Sequence, residues 1–174
     1  SIWAGEDARV AVLAARLRER DHLCLYGPAG VGKSAVAARV VEQARDEGWA
    51  GAIWYCDLAD CRTDDEVLLR VAWAVRHADP RVLSGDQMVE AVGRVVRSRG
   101  QQLAWFDNVD LAAPVLEGLL DTWTAETPGL RTLVTCRSRR SFVGGHAERV
   151  HPPDQQRAVE LFTRMVGVRA QEWS

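Results

Sequence analysis

The sequence predicts an α/β fold, a three-layer α/β/α sandwich built on a five-stranded parallel sheet. Three observations carry that expectation. Short apolar runs of strand character alternate along the chain with segments whose apolar residues recur at helical spacing, the order that forces parallel pairing. The strand-like runs are compact and apolar, as strands covered on both faces are. The first of them passes into a helix through a glycine-rich loop.

Over residues 8–17, Val10, Ala11, Leu13, Ala14 and Leu17 form one buried stripe of a leading helix. Residues 23–26 are a first strand, ended by Gly27-Pro28-Ala29-Gly30; Val36, Ala37, Val40, Val41 and Ala44 then resume the helical period as far as Gly48. Ile53, Trp54 and Tyr55 favour a second strand over 52–56. Thr63 with Glu66 makes a capping box for a helix carrying Val67, Leu68, Val71, Ala72 and Val75, which Pro80 ends. Ser84 with Gln87 repeats the device before Val89, Val92, Val95 and Val96, and that helix stops at Gly100. Residues 103–106 are a third strand closing on Asp107, followed by a helix through Val115, Leu116, Leu119 and Leu120 and a fourth strand over 132–136. A fifth, short strand is expected near Val150, and Asp154 as N-cap of a last helix with Ala158, Leu161, Phe162 and Met165. There is no internal repeat or low-complexity tract.

With 174 residues, 47% hydrophobic and 26% charged, the chain suits one compact domain with a core of its own. A net charge of -2 lacks the positive field that non-specific binding to nucleic acid or an acidic membrane requires. The sequence has neither the roughly 18 continuous apolar residues of a membrane span nor a signal peptide's order of charges. It reads as a soluble cytoplasmic domain. Its start without methionine and its stop shortly after a helical pattern predict a piece of a longer polypeptide. Cys24, Cys56, Cys61 and Cys136 show no metal-binding spacing and read as reduced core thiols.

Of 22 basic residues only one, Lys33, is lysine. It lies in Gly27-Pro28-Ala29-Gly30-Val31-Gly32-Lys33-Ser34, a complete GxxxxGK[ST] match between a strand and a helix. Such a loop needs glycines because successive backbone N–H groups must curl around a phosphate, and the helix N-terminus adds favourable partial charge. With Ala35 completing the turn, these residues are the candidate nucleotide-binding set. Lys33 supplies a compact charge for the β- and γ-phosphates, where a planar guanidinium fits less well, and Ser34 a hydroxyl for Mg²⁺. The run Leu103-Ala104-Trp105-Phe106-Asp107 supplies the metal-holding acid at a strand tip, about 70 residues downstream.

Asn108 follows where many ATPases place a second carboxylate, and a carboxamide cannot act as a general base. Loss of a positioned base is worth roughly 10²–10⁴ in rate, so hydrolysis is expected to be slow unless Asp110 or another acid substitutes, and Asn108→Asp is expected to raise it. Asp110 reads first as a turn residue. Arg137, at the tip of the fourth strand, is the candidate sensor of the γ-phosphate, because its guanidinium gains charge-assisted hydrogen bonds with ATP that ADP cannot give. Arg139 and Arg140 read as solvated loop charges, without the interleaved aromatics of a nucleic-acid surface. Lys33, Asp107, Asn108 and Arg137 are thus the candidate catalytic residues, and Ser34 and Asp107 the metal ligands.

GPAGVGKS, LAWFDNVD, TLVTCRSR and HPPDQQRAVELF together resemble the nucleotide-binding domain of STAND-class P-loop NTPases, in particular the bacterial NB-ARC or AP-ATPase branch. The first two correspond to the Walker A and Walker B motifs; the strand-tip arginine followed by Ala158, Leu161 and Phe162 is more specific to the branch. The resemblance spans nearly the whole chain and implies a sheet in which another strand separates the Walker A strand from the Walker B strand. It implies one domain over residues 1–174, with an opening segment and leading helix in 1–21. Residues 154–174 would begin the connection to helical and winged-helix domains that close over the nucleotide. It implies ATP/ADP and Mg²⁺ as ligands and the role of a slow switch in a signalling, defence or transcription-regulatory protein. The expected partners are the neighbouring domains and, with ATP bound, other copies, without direct nucleic-acid or membrane binding. Trp3-Ala4-Gly5-Glu6 keeps the glycine of the family's opening motif but has glutamate where arginine is usual. Two other readings compete, a degenerate module that holds ADP without turnover and an AAA+-like ATPase. ATP is favoured over GTP only by the absence of an NKxD-type guanine-reading motif.

Overall fold

A computed structural model of the chain describes residues 4–20, 22–75, 85–140 and 145–152, with side chains from Asp7 onward. Helix α1 (Ala4–Glu19) leads into β1 (His22–Tyr26), α2 (Lys33–Asp46), β2 (Ala52–Asp57), α3 (Asp64–Ala74), α4 (Gly85–Ser98), β3 (Gln102–Asp107), α5 (Ala113–Glu126), β4 (Leu130–Cys136) and β5 (His146–Arg149). The predicted capping box starts α3: the Thr63 hydroxyl accepts the Glu66 N–H and the Glu66 carboxylate accepts the Thr63 N–H. The fifth strand ends one residue before Val150, which donates its N–H to Tyr26. Residues Trp3, Pro80, Ser84 and Asp154 and the last predicted helix lie outside the described residues.

All five strands pair in parallel, in the order β2-β3-β4-β1-β5. This is the predicted α/β fold, and β4 separates β1 from β3 as the resemblance implied. Strand pleating sends successive side chains to opposite faces and so builds two cores. Leu23, Leu25, Leu103 and Leu133 pack with Leu13 and Leu17 of α1 and Ala37 and Val40 of α2. Cys24, Trp54, Phe106 and Val134 pack on the other face with Val71 of α3, Val92 of α4 and Leu116 and Trp123 of α5. All four cysteines are free and buried. Burial, with the neighbouring Cys61, pushes the Cys56 thiol up to about 12. Among the described residues no helix is long and apolar enough to cross a membrane.

Parallel pairing brings the C-terminal ends of β1, β3 and β4 to one edge of the sheet, where a parallel α/β sheet places its ligands.

Candidate functional site

The loop after β1 begins under a steric constraint. A Cβ on Gly27 would lie 2.8 Å from the Val150 carbonyl oxygen, so only glycine lets the chain leave the strand between β4 and the exit of β5. Gly27 donates its N–H to the Cys136 carbonyl at 3.2 Å. Gly32, with φ 94, turns the loop into α2. That helix start has no side-chain cap and no acidic residue in its first turn, in contrast to α3, so its amides face the loop without a competing anion.

Lys33 opens α2 and is only 9% exposed. Its ammonium donates to the Gly27 carbonyl at 3.0 Å and to the Pro28 carbonyl at 2.9 Å, folding back along the loop. Next to it the Ser34 hydroxyl donates to Asp107 Oδ1 at 3.0 Å, which joins the first turn of α2 to the tip of β3. Asp107 is 4% exposed and also accepts from the Thr135 hydroxyl. The Tyr55 hydroxyl reaches the other carboxylate oxygen at 3.4 Å, and burial together with the Asp107 charge pushes that phenol up to about 12.

A cavity of about 550 Å³ opens over this edge, within the range of ligand sites. The loop side supplies Ala29, Gly30, Gly32, Lys33, Ser34 and Ala35; the strand tips supply Asn108 and Arg137. The remaining candidates serve from behind. Gly27 and Pro28 hold the lysine through their carbonyls, Val31 packs against the core under α1 and α2, and Asp107 sits beneath Ser34.

Asp110 also lines the cavity, but its carboxylate is engaged in the turn. Oδ1 accepts the Arg137 backbone N–H at 2.7 Å and Oδ2 lies 4.0 Å from the guanidinium. It therefore pins the tip of β4, as a turn residue would. Arg137 is largely exposed and is one of the residues lining the cavity. Arg140 pairs with Glu117 at 3.8 Å.

Three residues that sequence reasoning missed complete the edge. Thr135 donates to Asp107 and accepts the Asn108 N–H at 3.0 Å, Tyr55 approaches Asp107, and Asp57 accepts from the Asn108 carboxamide at 3.1 Å. Asp57 could have been flagged because β2, like β3, ends in an aspartate, and the register pairs Asp57 with Asp107. This neighbour also changes the expectation for Asn108→Asp. The new carboxylate would stand against that of Asp57, and two carboxylates sharing one contact repel, so no gain in rate is expected from that change alone.

No protein-family model matches the chain, and no curated protein matches its sequence. Solved structures do match. Cdc6p from Pyrobaculum aerophilum superposes with a TM-score of 0.72 at 14% identity, over 92% of this chain and 48% of that one. The ORC1 protein of Aeropyrum pernix, solved in complex with DNA, gives 0.70 at 22%, over 95% and 49%. A Signal Transduction ATPase with Numerous Domains (STAND) protein with a tetratricopeptide repeat sensor, from Pyrococcus horikoshii, gives 0.55 at 13%, over 89% and 24%. This chain spans about half the length of the first two structures. It has the α/β fold of the P-loop NTPases.

Proposed function

We propose that the chain is an ATP-binding, slowly hydrolysing switch domain of a multidomain signalling or regulatory protein. The observation that supports this most is the joined pair at the start of α2, where a nearly buried ammonium lies along a glycine loop and the next residue's hydroxyl is bonded to a strand-tip carboxylate. On this reading Lys33 exchanges its two loop carbonyls for β- and γ-phosphate oxygens, while the uncapped amides of α2 and residues 29–35 cradle the phosphates. A hydroxyl and a carboxylate side by side are the hard oxygen donors Mg²⁺ takes, so Ser34 and Asp107 fit that ion. When bound it would neutralise charge developing on the phosphate oxygens. Arg137 senses the γ-phosphate, for which it must leave Asp110, and the missing acid at Asn108 keeps turnover slow.

On this reading Lys33→Ala removes two charge-assisted hydrogen bonds to phosphate oxygens at roughly 1.5–3 kcal/mol each, so affinity for ATP falls about 10²-fold or more by calorimetry. Unchanged affinity refutes the assignment. Retained ADP without any Mg²⁺-dependent phosphate release favours a structural nucleotide instead.

A second reading, an AAA+-like ATPase module, is favoured by the higher similarity to Cdc6p and ORC1 than to the STAND protein. The two readings separate by sedimentation with and without ATP. An AAA+-like module assembles with other copies, and a chain that stays monomeric at high concentration with ATP counts against it.

A further inference from the structure

We infer that Asp57 is a positioning residue for hydrolysis, which holds the Asn108 carboxamide so that its carbonyl oxygen, facing the cavity, orients the attacking water. The inference rests on the ATPase reading above and adds to it the group that handles water.

Three observations lead there. Asn108 has φ 59, the one positive-φ residue other than glycine among those described. A left-handed backbone favours asparagine over a long side chain such as glutamate, so the usual acid is sterically disfavoured at this strand tip. Its backbone is held in that conformation by the N–H donated to Thr135 at 3.0 Å, so the side chain is aimed by main-chain geometry. Asn108 is among the residues lining the cavity that also takes in Lys33, Ser34 and Arg137.

Asp57 then decides which end of the amide faces inward. A carboxylate oxygen at 3.1 Å can be met only by the amide nitrogen, since the carbonyl oxygen there would repel it. Oδ1 of Asn108 is thereby committed to the other side and has no hydrogen-bond partner among the described residues. A carbonyl oxygen is a water acceptor. Glutamine carboxamides orient the nucleophile in other NTPases in this manner, without removing its proton. In the step proposed, the water oxygen bonds to the γ-phosphorus while the bond to the β,γ-bridging oxygen breaks. ADP leaves with that electron pair, and both of the water's protons end on the released phosphate, which gives one up to bulk solvent. No residue needs to be a base, which fits slow turnover.

The alternative is a purely structural Asp57, whose Oδ1 also accepts the Ala59 N–H at 3.1 Å and so shapes the turn after β2. A double-mutant cycle on the 174-residue chain separates the two. Asp57→Ala and Asn108→Ala should each lower kcat about tenfold with ATP affinity within about twofold, and the double variant should be no slower than Asn108→Ala. A structural role instead makes the losses multiply. Nitrogen-15 spectra give a second readout that needs no turnover: the Asn108 side-chain amide, identified by its loss in Asn108→Ala, should shift when Asp57 is replaced by alanine. An unmoved amide signal, multiplying losses, or an Asp57→Ala variant of full activity overturns the inference while leaving the ATPase reading intact. A wild-type chain that binds ATP but releases no phosphate overturns both.

Discussion

Gly27→Ala tests whether the loop is built as tightly as its contacts imply. The added methyl would lie 2.8 Å from the Val150 carbonyl oxygen and 3.3 Å from Val31 Cγ1. Neither neighbour yields easily. Val150 is tied back to Tyr26 by its N–H at 2.8 Å, and Gly27 itself is held to Cys136 on the other side. The backbone at 27 must therefore shift, and forcing a methyl into a packed contact costs about 1–3 kcal/mol. For a chain of this size each kcal/mol moves the melting temperature by about 2–4 °C, so Tm should fall by roughly 2–12 °C. The shift also displaces the carbonyl that holds Lys33 at 3.0 Å, so ATP affinity should fall with it. Gly118→Ala is the control. It is exposed within α5 with no atom within 4 Å of the added Cβ, and alanine there should raise stability by about 0.5–1 kcal/mol. Circular dichroism melts and calorimetric titration read both. An unchanged Tm and unchanged affinity in Gly27→Ala would refute the claim that this junction is closed to a side chain.

Arg137→Ala should weaken ATP about tenfold, the worth of one charge-assisted hydrogen bond, and leave ADP unaffected; equal losses for both nucleotides would remove it as γ-phosphate sensor. Cys56 makes stability fall at alkaline pH. Its thiol is raised from 9.0 to about 12 in the fold, chiefly by burial, so between those values the unfolded chain has lost a proton that the native chain keeps. Stability is then unaffected below pH 9 and decreases above it by up to about 1.4 kcal/mol per pH unit, the one-proton linkage slope. Urea midpoints at pH 8 and pH 10 should therefore converge more closely in Cys56→Ala than in the wild type, and identical spacing in the two would contradict the assignment.

Much of the fold was legible because its signals are local. The capping box at Thr63, the glycine loop after β1 and the apolar run ending at Asp107 each act within a few residues, and α3, α2 and β3 lie where those signals put them. Boundaries moved by a few residues where no local signal marks them: α1 starts at Ala4 rather than Ala8, and β4 at Leu130 rather than Thr132. Lys33 and Ser34 were legible for the same reason, since loop and helix start are contiguous in sequence.

The sequence by itself determined the order of strands and helices, the glycine-rich loop after β1 and the acid at the end of β3, because backbone propensity, glycine freedom and apolar spacing are read over short stretches. Tertiary structure alone decided which strand tips meet. Asp57 stands 50 residues before Asp107, yet parallel pairing sets them side by side and brings Asn108 against the first. Thr135 reaches the Asp107 carboxylate from a third strand. Such contacts depend on register and on strand order, which follow from burying both faces of the sheet at once, and no stretch of neighbouring residues encodes that.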